Sequence, residues 1–169
     1  MEWNFYQRLT AHLDIDRSSF DCGDENINQY IKEDAVFCEN ADFARTFLMV
    51  NKEVGLIGFY TLSSSVIPSK ELPDEYTEGI PKFPIPCILI GQFAISKTLH
   101  GQKLSYYLLA DTYKNIIHYY KQDLVGFWGI RVDTQTEEAK SFWTKQGFIS
   151  FKKRPTSLFI PIKTLLDSI

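Results

Sequence analysis

Residues 87–95, CILIGQFAI, form a nearly continuous apolar run that leads within a few residues into KTLHGQKLSYYLL. A run apolar at successive positions suits a strand covered on both faces. After it, Leu104, Leu108, Leu109, Ile116 and Tyr120 recur at helical spacing, which predicts a long helix with one apolar stripe, beginning near Lys103 or Leu104. Gly101 supplies the turn between them. A buried strand feeding directly into an amphipathic helix commits the chain to a mixed α/β architecture.

The remaining segments agree. FDCGDENINQYIKEDAVF opens on Asp21, Gly23 and Asp24 and then sets Ile27, Tyr30 and Ile31 at helical spacing, so an early amphipathic helix is expected. TFLMV meets GLIGFYTLSSSV across Asn51 to Glu53, which reads as a hairpin. Residues 68–86 hold five of the chain's seven prolines and several acids, too many interruptions for a regular helix or a central strand, and are expected to form an insertion or lid-like loop. LVGFWGIRV is expected to be a core strand. Thr134 and Glu137 have capping-box spacing before a helix carrying Ala139, Phe142 and Trp143, with Gly147 as its stop. FISF and TSLFIPI close the chain as strands around Lys152, Lys153 and Arg154.

Length and composition bound the rest. At 169 residues and 44% hydrophobic content the chain makes one buried core and is too short for two domains to be expected. Three cysteines without CxxC spacing point to neither a disulfide framework nor a thiolate metal site, and a reducing cytoplasmic setting fits them. His12, His100 and His118 show no metal-ligand spacing, so no metal is expected. Neither a leader pattern nor a membrane-spanning run is present. The net charge of −3 conceals a division: residues 1–85 carry 15 acidic and 7 basic side chains, residues 86–169 carry 6 and 11. The second half suits a polyanion and the first a basic partner, unless the segregation is only that of a solvated surface.

The chemistry concentrates at the strand-to-helix turn. Amides at a helix start bind phosphate oxygens, and Lys97, His100 and Lys103 add positive or titratable character. The turn is neither a Walker loop, lacking the GK[ST] ending, nor a Rossmann loop. His100 is expected to shape the loop or lie near phosphate rather than act as a base. His12 and His118 are expected at the surface or in packing, Cys87 in the core, and Tyr106 and Tyr107 divided between core and surface.

The order CILIGQFAISKTLHGQKLSYYLL, then TQTEEAKSFWTKQGF, then TSLFIPI resembles the GCN5-related N-acetyltransferase (GNAT) superfamily. FDCGDENINQYI, GLIGFYTLS and the proline-rich interval resemble its toxin-type branch, often encoded beside a ribbon-helix-helix antitoxin. The resemblance covers roughly Phe20 to Ile162 and implies one GNAT-like domain over residues 1–169, a central, mostly antiparallel, splayed sheet flanked by helices. It implies acetyl-CoA lying against Phe93, Ala94 and Ile95, with backbone amides there facing the reacting carbonyl. Its pyrophosphate would be gripped by the loop of His100, Gly101, Gln102, Lys103, Leu104 and Ser105. It also implies aminoacyl-tRNA as acceptor, acetylated on its α-amino group, and an antitoxin, or a second copy of the chain, as protein partner.

The chain departs from the family pattern in two elements, the cofactor loop and the helix before the final GF. The cofactor loop of relatives reads Gln or Arg, two residues, Gly, one residue, Gly or Ala; here those places hold His100, Lys103 and Ser105. Relatives place a tyrosine after phenylalanine in the helix leading to the final GF, where it protonates the departing thiolate; here that place holds Trp143, whose indole cannot take the role. Water, Thr144 or another tyrosine is left to supply that proton. Three readings follow: an acetyltransferase acting on aminoacyl-tRNA, a GNAT-fold interaction protein with weak or no catalysis, or an acetyltransferase of a peptide or small amine.

Overall fold

The computed structural model describes residues 6–9 and 14–169. His12 lies outside the described residues. In chain order the strands are β1 (Tyr6–Arg8), β2 (Arg45–Asn51), β3 (Gly55–Ile67), β4 (Ile85–Ile95), β5 (Gly129–Asp133), β6 (Ile149–Ser150) and β7 (Ser157–Pro161). The α-helices are α1 (Glu25–Gln29), continued through a π-helical turn (Tyr30–Asp34) into α2 (Ala35–Asn40), then α3 (Leu104–Lys121), α4 (Glu137–Lys145) and α5 (Ile162–Asp167). The seven strands pair in the order β1-β2-β3-β4-β5-β7-β6, and β4 with β5 is a parallel pair in a mostly antiparallel sheet. The chain divides into two compact units, one containing the residues up to Ser63 with Gly91–Ile116, the other Ser64–Ile90 with Ile117–Ile169.

In the first unit the core gathers around Phe59 of β3. Phe20 meets its ring edge-on at 5.5 Å and Tyr30 stacks at 6.2 Å, with Leu9, Ile31, Leu48 and Leu56 buried beside them. The Asp24 side chain caps α1 by accepting from the amides of Asn26 and Ile27, as the turn-forming sequence before it predicts. Glu39 is buried at the end of α2; one carboxylate oxygen accepts from Arg8 and the other from the Thr46 amide, 2.9 Å away, joining that helix to β1 and β2. The predicted hairpin joins β2 to β3, its turn closed by Asn51 Oδ1 accepting from the amides of Glu53 and Val54.

The second unit is built on Phe159 of β7, which packs against Tyr76, Trp128 and Phe151. Up to Pro84 the proline-rich interval contains two 3-10 turns, Ser69–Glu71 and Asp74–Tyr76, and neither an α-helix nor a strand. It is not a loose lid. Leu72 is buried in the same cluster as Phe159, and the buried Glu71 accepts from the Lys152 amide through its carbonyl and from the Lys153 amide through Oε2, at 2.7 and 3.0 Å.

Several expectations are corrected. Pro86, assigned to the loop, already lies in β4, which begins at Ile85. Leu124 and Val125, expected in a core strand, are 84% and 76% exposed, and β5 starts only at Gly129. Thr136, not Thr134, caps α4 by accepting from the Ala139 amide; the Thr134 hydroxyl instead donates to the Thr156 carbonyl. Gly147, at φ +90°, does terminate that helix. Residues from Ile162 onward turn into α5 rather than extending the last strand.

Candidate functional site

The parallel register pairs Cys87, Ile88, Leu89 and Ile90 with Gly129, Ile130, Arg131 and Val132, and β4 continues for five residues beyond Ile90. At the start of that extension the Gln92 amide donates to the Thr61 side-chain oxygen at 2.8 Å, a side chain standing in for a ladder carbonyl. Further along, β3 comes so close that a Cβ on Gly58 would stand 2.5 Å from the Ala94 carbonyl oxygen. Only glycine fits there. Phe93 is partly exposed, while Ala94 and Ile95 are buried.

The loop leaving β4 is clamped at three points. The Ser96 amide donates to the Ile57 carbonyl at 2.8 Å, and the Lys97 amide to the Asp21 carbonyl at 2.8 Å. The Lys97 ammonium also meets Asp21 Oδ2 at 2.5 Å, and that contact, with hydrogen bonds from Gly23 and Asn28, holds the Asp21 carboxyl well below the usual range. Third, His100 Nε2 lies 2.9 Å from the Ile95 carbonyl oxygen. A carbonyl only accepts, so Nε2 carries the proton and is spent on shaping the turn. The expectation that His100 shapes the loop agrees with this contact.

Two loop residues, one on either side of Gln102, then take left-handed backbone. Gly101 has φ +81° with open space around the missing side chain, and Lys103 has φ +60° immediately before α3. Lysine is an unusual occupant of that conformation, and it stands at the glycine place of the loop pattern that the resemblance implies. The first intrahelical donors lie further along α3, so the amides of Leu104 and Ser105 have no acceptor within the helix. No acidic residue occurs from Ser96 to Ala110. Open space at Gly101, two outward amides and an exposed Lys103 make a donor set that fits a pyrophosphate. Lys97, neutralised by Asp21, is not part of that set.

Sequence reasoning missed Asp21, Thr61 and a buried polar cluster that seats α3 in the first unit. The Tyr60 hydroxyl donates to Asp111 Oδ2 at 2.7 Å, and Asn115 Nδ2 donates to the Tyr60 oxygen at 2.6 Å. Burial raises the Asp111 carboxyl above its ordinary value, against the pull of the Tyr60 hydrogen bond. The signal was present: Asp111 lies seven residues after Leu104, on the stripe otherwise given to core side chains.

In the second unit, Trp143 is 5% exposed and meets Phe148 at 5.0 Å and Phe142 at 5.2 Å, both edge-on. It packs. The Thr144 hydroxyl donates to the Lys140 carbonyl at 2.9 Å, as helical threonines do, so its proton is engaged. Cys87 is buried as expected, and burial pushes its thiol up to about 11, far from a reactive thiolate. Tyr106 and Tyr107, expected to divide between core and surface, are both exposed, at 51% and 62%. Both fall outside the sector that holds Leu104, Leu108 and Asp111. Among the described residues no group of three or more His, Cys, Asp or Glu is placed to hold a metal, and no helix is long and apolar enough to cross a membrane.

The chain matches no protein-family profile. A curated relative, the probable toxin TacT of Sinorhizobium fredii, is 24% identical over 159 residues, covering 89% of this chain and 87% of its own. Among solved structures, a tyrosine-to-phenylalanine variant of KacT is 30% identical with a TM-score of 0.82, covering 92% of both chains. The chain is a toxin-type GNAT. The structure of AtaT complexed with acetyl-methionyl-tRNAfMet is 27% identical with a TM-score of 0.85, over 97% of this chain and 98% of that one. AtaT bound to the C-terminus of the antitoxin AtaR and to acetyl-CoA is 26% identical with a TM-score of 0.79, over 98% of each chain. Within this GNAT the β4 extension and the loop into α3 are the elements that the resemblance assigned to the cofactor.

Proposed function

We propose that this chain transfers the acetyl group of acetyl-CoA to the α-amino group of an aminoacyl-tRNA, and so acts as a toxin that withdraws charged tRNA from translation. The observation that carries the reading is the likeness to AtaT complexed with acetyl-methionyl-tRNAfMet, at TM-score 0.85 over 97% of the chain. A ribbon-helix-helix antitoxin is the protein partner that goes with it, by likeness to AtaT bound to AtaR.

In this reading the Leu104 and Ser105 amides, with Lys103 beside them, hold the cofactor pyrophosphate, and 93–95 line its acyl arm. When bound, acetyl-CoA supplies an activated thioester carbonyl. Transfer breaks its C–S bond and forms a C–N bond; the amine gives up one proton and the thiolate takes one. In this reading backbone amides at 93–95 stabilise the charge that develops on the carbonyl oxygen. The α-amine of an aminoacyl ester loses its proton more readily than a lysine side chain, so no strong dedicated base is demanded. Neither the buried Trp143 nor the engaged Thr144 hydroxyl serves as the acid, which leaves water or another tyrosine to protonate the thiolate.

A second reading keeps the fold as an interaction module with weak catalysis. Lys103 in the glycine position and Trp143 in the tyrosine position favour it. The test is incubation with labelled acetyl-CoA and a set of charged tRNAs, followed by release and identification of the amino acids. N-acetylated amino acid from at least one tRNA is expected. Saturable acetyl-CoA binding without any acetylated product would move the assignment to the second reading.

A further inference from the structure

The exposed face of α3 has a composition that the cofactor loop does not explain. Tyr107, Ala110, Lys114, His118 and Lys121 are all exposed, and at 100° per residue they fall within a sector of about 80°. The one acid in the helix, Asp111, borders this sector about 20° beyond His118, but it is buried against Tyr60 and Asn115. Among the described residues neither Lys114 nor Lys121 makes an ion pair; the nearest acids along the chain are the buried Asp111, three residues before Lys114 and within reach of its charge, and Asp123, two residues after Lys121. An ordinary solvated helix mixes both signs along its outer face. This one presents Tyr107, Lys114 and Lys121 in line, one every seven residues, and no exposed acid. Lys114 and Lys121 stand about 10 Å apart along the axis, close to three nucleotide steps of a stacked strand.

We infer that the outer face of α3 is an RNA-binding surface, Lys114 and Lys121 contacting phosphates about three steps apart on the acceptor strand and Tyr107 stacking on a base or ribose. The inference rests on the proposed aminoacyl-tRNA reading and adds the element that takes hold of the nucleic acid. An exposed aromatic ring in line with cations distinguishes a strand with accessible bases from a merely acidic protein partner.

The experiment measures the affinity of the full-length protein for uncharged tRNA as a function of salt. The Lys114→Gln/Lys121→Gln variant is expected to bind about tenfold more weakly, with the slope of log affinity against log salt reduced by about two, one for each phosphate contact. Tyr107→Ala is expected to weaken binding severalfold with the slope unchanged. Lys114→Arg/Lys121→Arg keeps the charge and is expected to retain both. Equal affinity and slope in the glutamine variant and the wild type, or no tRNA binding by the wild type, overturns the inference. So does a glutamine variant that loses only antitoxin binding, which would make the face a protein interface. A wild type that binds tRNA with these slopes but acetylates no charged tRNA would end the proposed activity and leave the surface standing.

Discussion

Lys103 carries a cost that its relatives avoid. At φ +60° a residue with a Cβ is disfavoured by about 1–2 kcal/mol, whereas glycine takes that conformation without steric penalty and costs somewhat more to order on folding. Lys103→Gly is therefore expected to gain up to about 1 kcal/mol in stability. It also takes a long side chain away from the Leu104 and Ser105 amides. Denaturant midpoints and acetyl-CoA titration of the same variant separate the two effects; a lower midpoint would mean that the lysine side chain stabilises the turn more than its backbone strains it. Asp111 makes a second prediction, in which the sign is fixed. Its carboxyl is raised above 3.8, so the folded state holds this proton more tightly than the unfolded chain does. The stability it contributes is fully present below the unfolded value and is lost as pH rises through the raised value. Asp111→Asn has no such loss and keeps an oxygen for Tyr60 and Asn115. The midpoint difference between variant and wild type, followed from pH 3 to pH 7, should shift in favour of the variant as pH rises; a difference independent of pH would contradict the raised value.

At the level of elements, the β4 extension depends on Gly58 more than on any of its own side chains. A methyl group there meets a backbone oxygen at 2.5 Å, and backbone cannot step aside as a side-chain tip can. Gly58→Ala is expected to cost about 1–3 kcal/mol and to shift 94–95, so acetyl-CoA affinity should fall together with the thermal midpoint. Retained cofactor affinity in this variant would separate that strand segment from the binding site. Most elements were legible in the sequence because their signals are local: Asp24 before α1, Asn51 at the hairpin, the strand-to-helix run into α3 and Gly147 after α4. Other features were not, because the deciding contact is distant in sequence. Leu124 and Val125 look like strand residues until the register shows β5 opening at Gly129 opposite Cys87 and Pro161. Thr134 has the spacing of a cap, but its hydroxyl is claimed by Thr156, 22 residues away. The loop from β4 into α3 was readable as a turn, yet the pairing of Lys97 with Asp21 and of His100 with the Ile95 carbonyl shows only once β4 is in place.

The two units of the molecule are not separable lengths of chain. The first is interrupted by 64–90, and the boundaries fall inside β3, β4 and α3 rather than in loops. Independent unfolding of either unit would have to end a strand between Ser63 and Ser64, another between Ile90 and Gly91, and a helix after Ile116, each time releasing backbone donors and acceptors that the element had satisfied. Such breaks are costly, whereas domain boundaries ordinarily fall in linkers crossed by few contacts. The 169-residue chain is therefore expected to unfold in one cooperative transition. In a Trp3→Phe background, tryptophan fluorescence reports Trp128 and Trp143 of the second unit, while amide exchange on β2 and the first half of β3 reports the other. Coincident midpoints in denaturant are the expected result, and acetyl-CoA should raise both by the same amount, since a ligand of the folded state stabilises the whole cooperative unit. Two separated midpoints, or stabilisation confined to the amides of one unit, would show instead that β3 and β4 can break at the boundary, and that the cofactor loop and the Trp143 helix belong to independently folding parts.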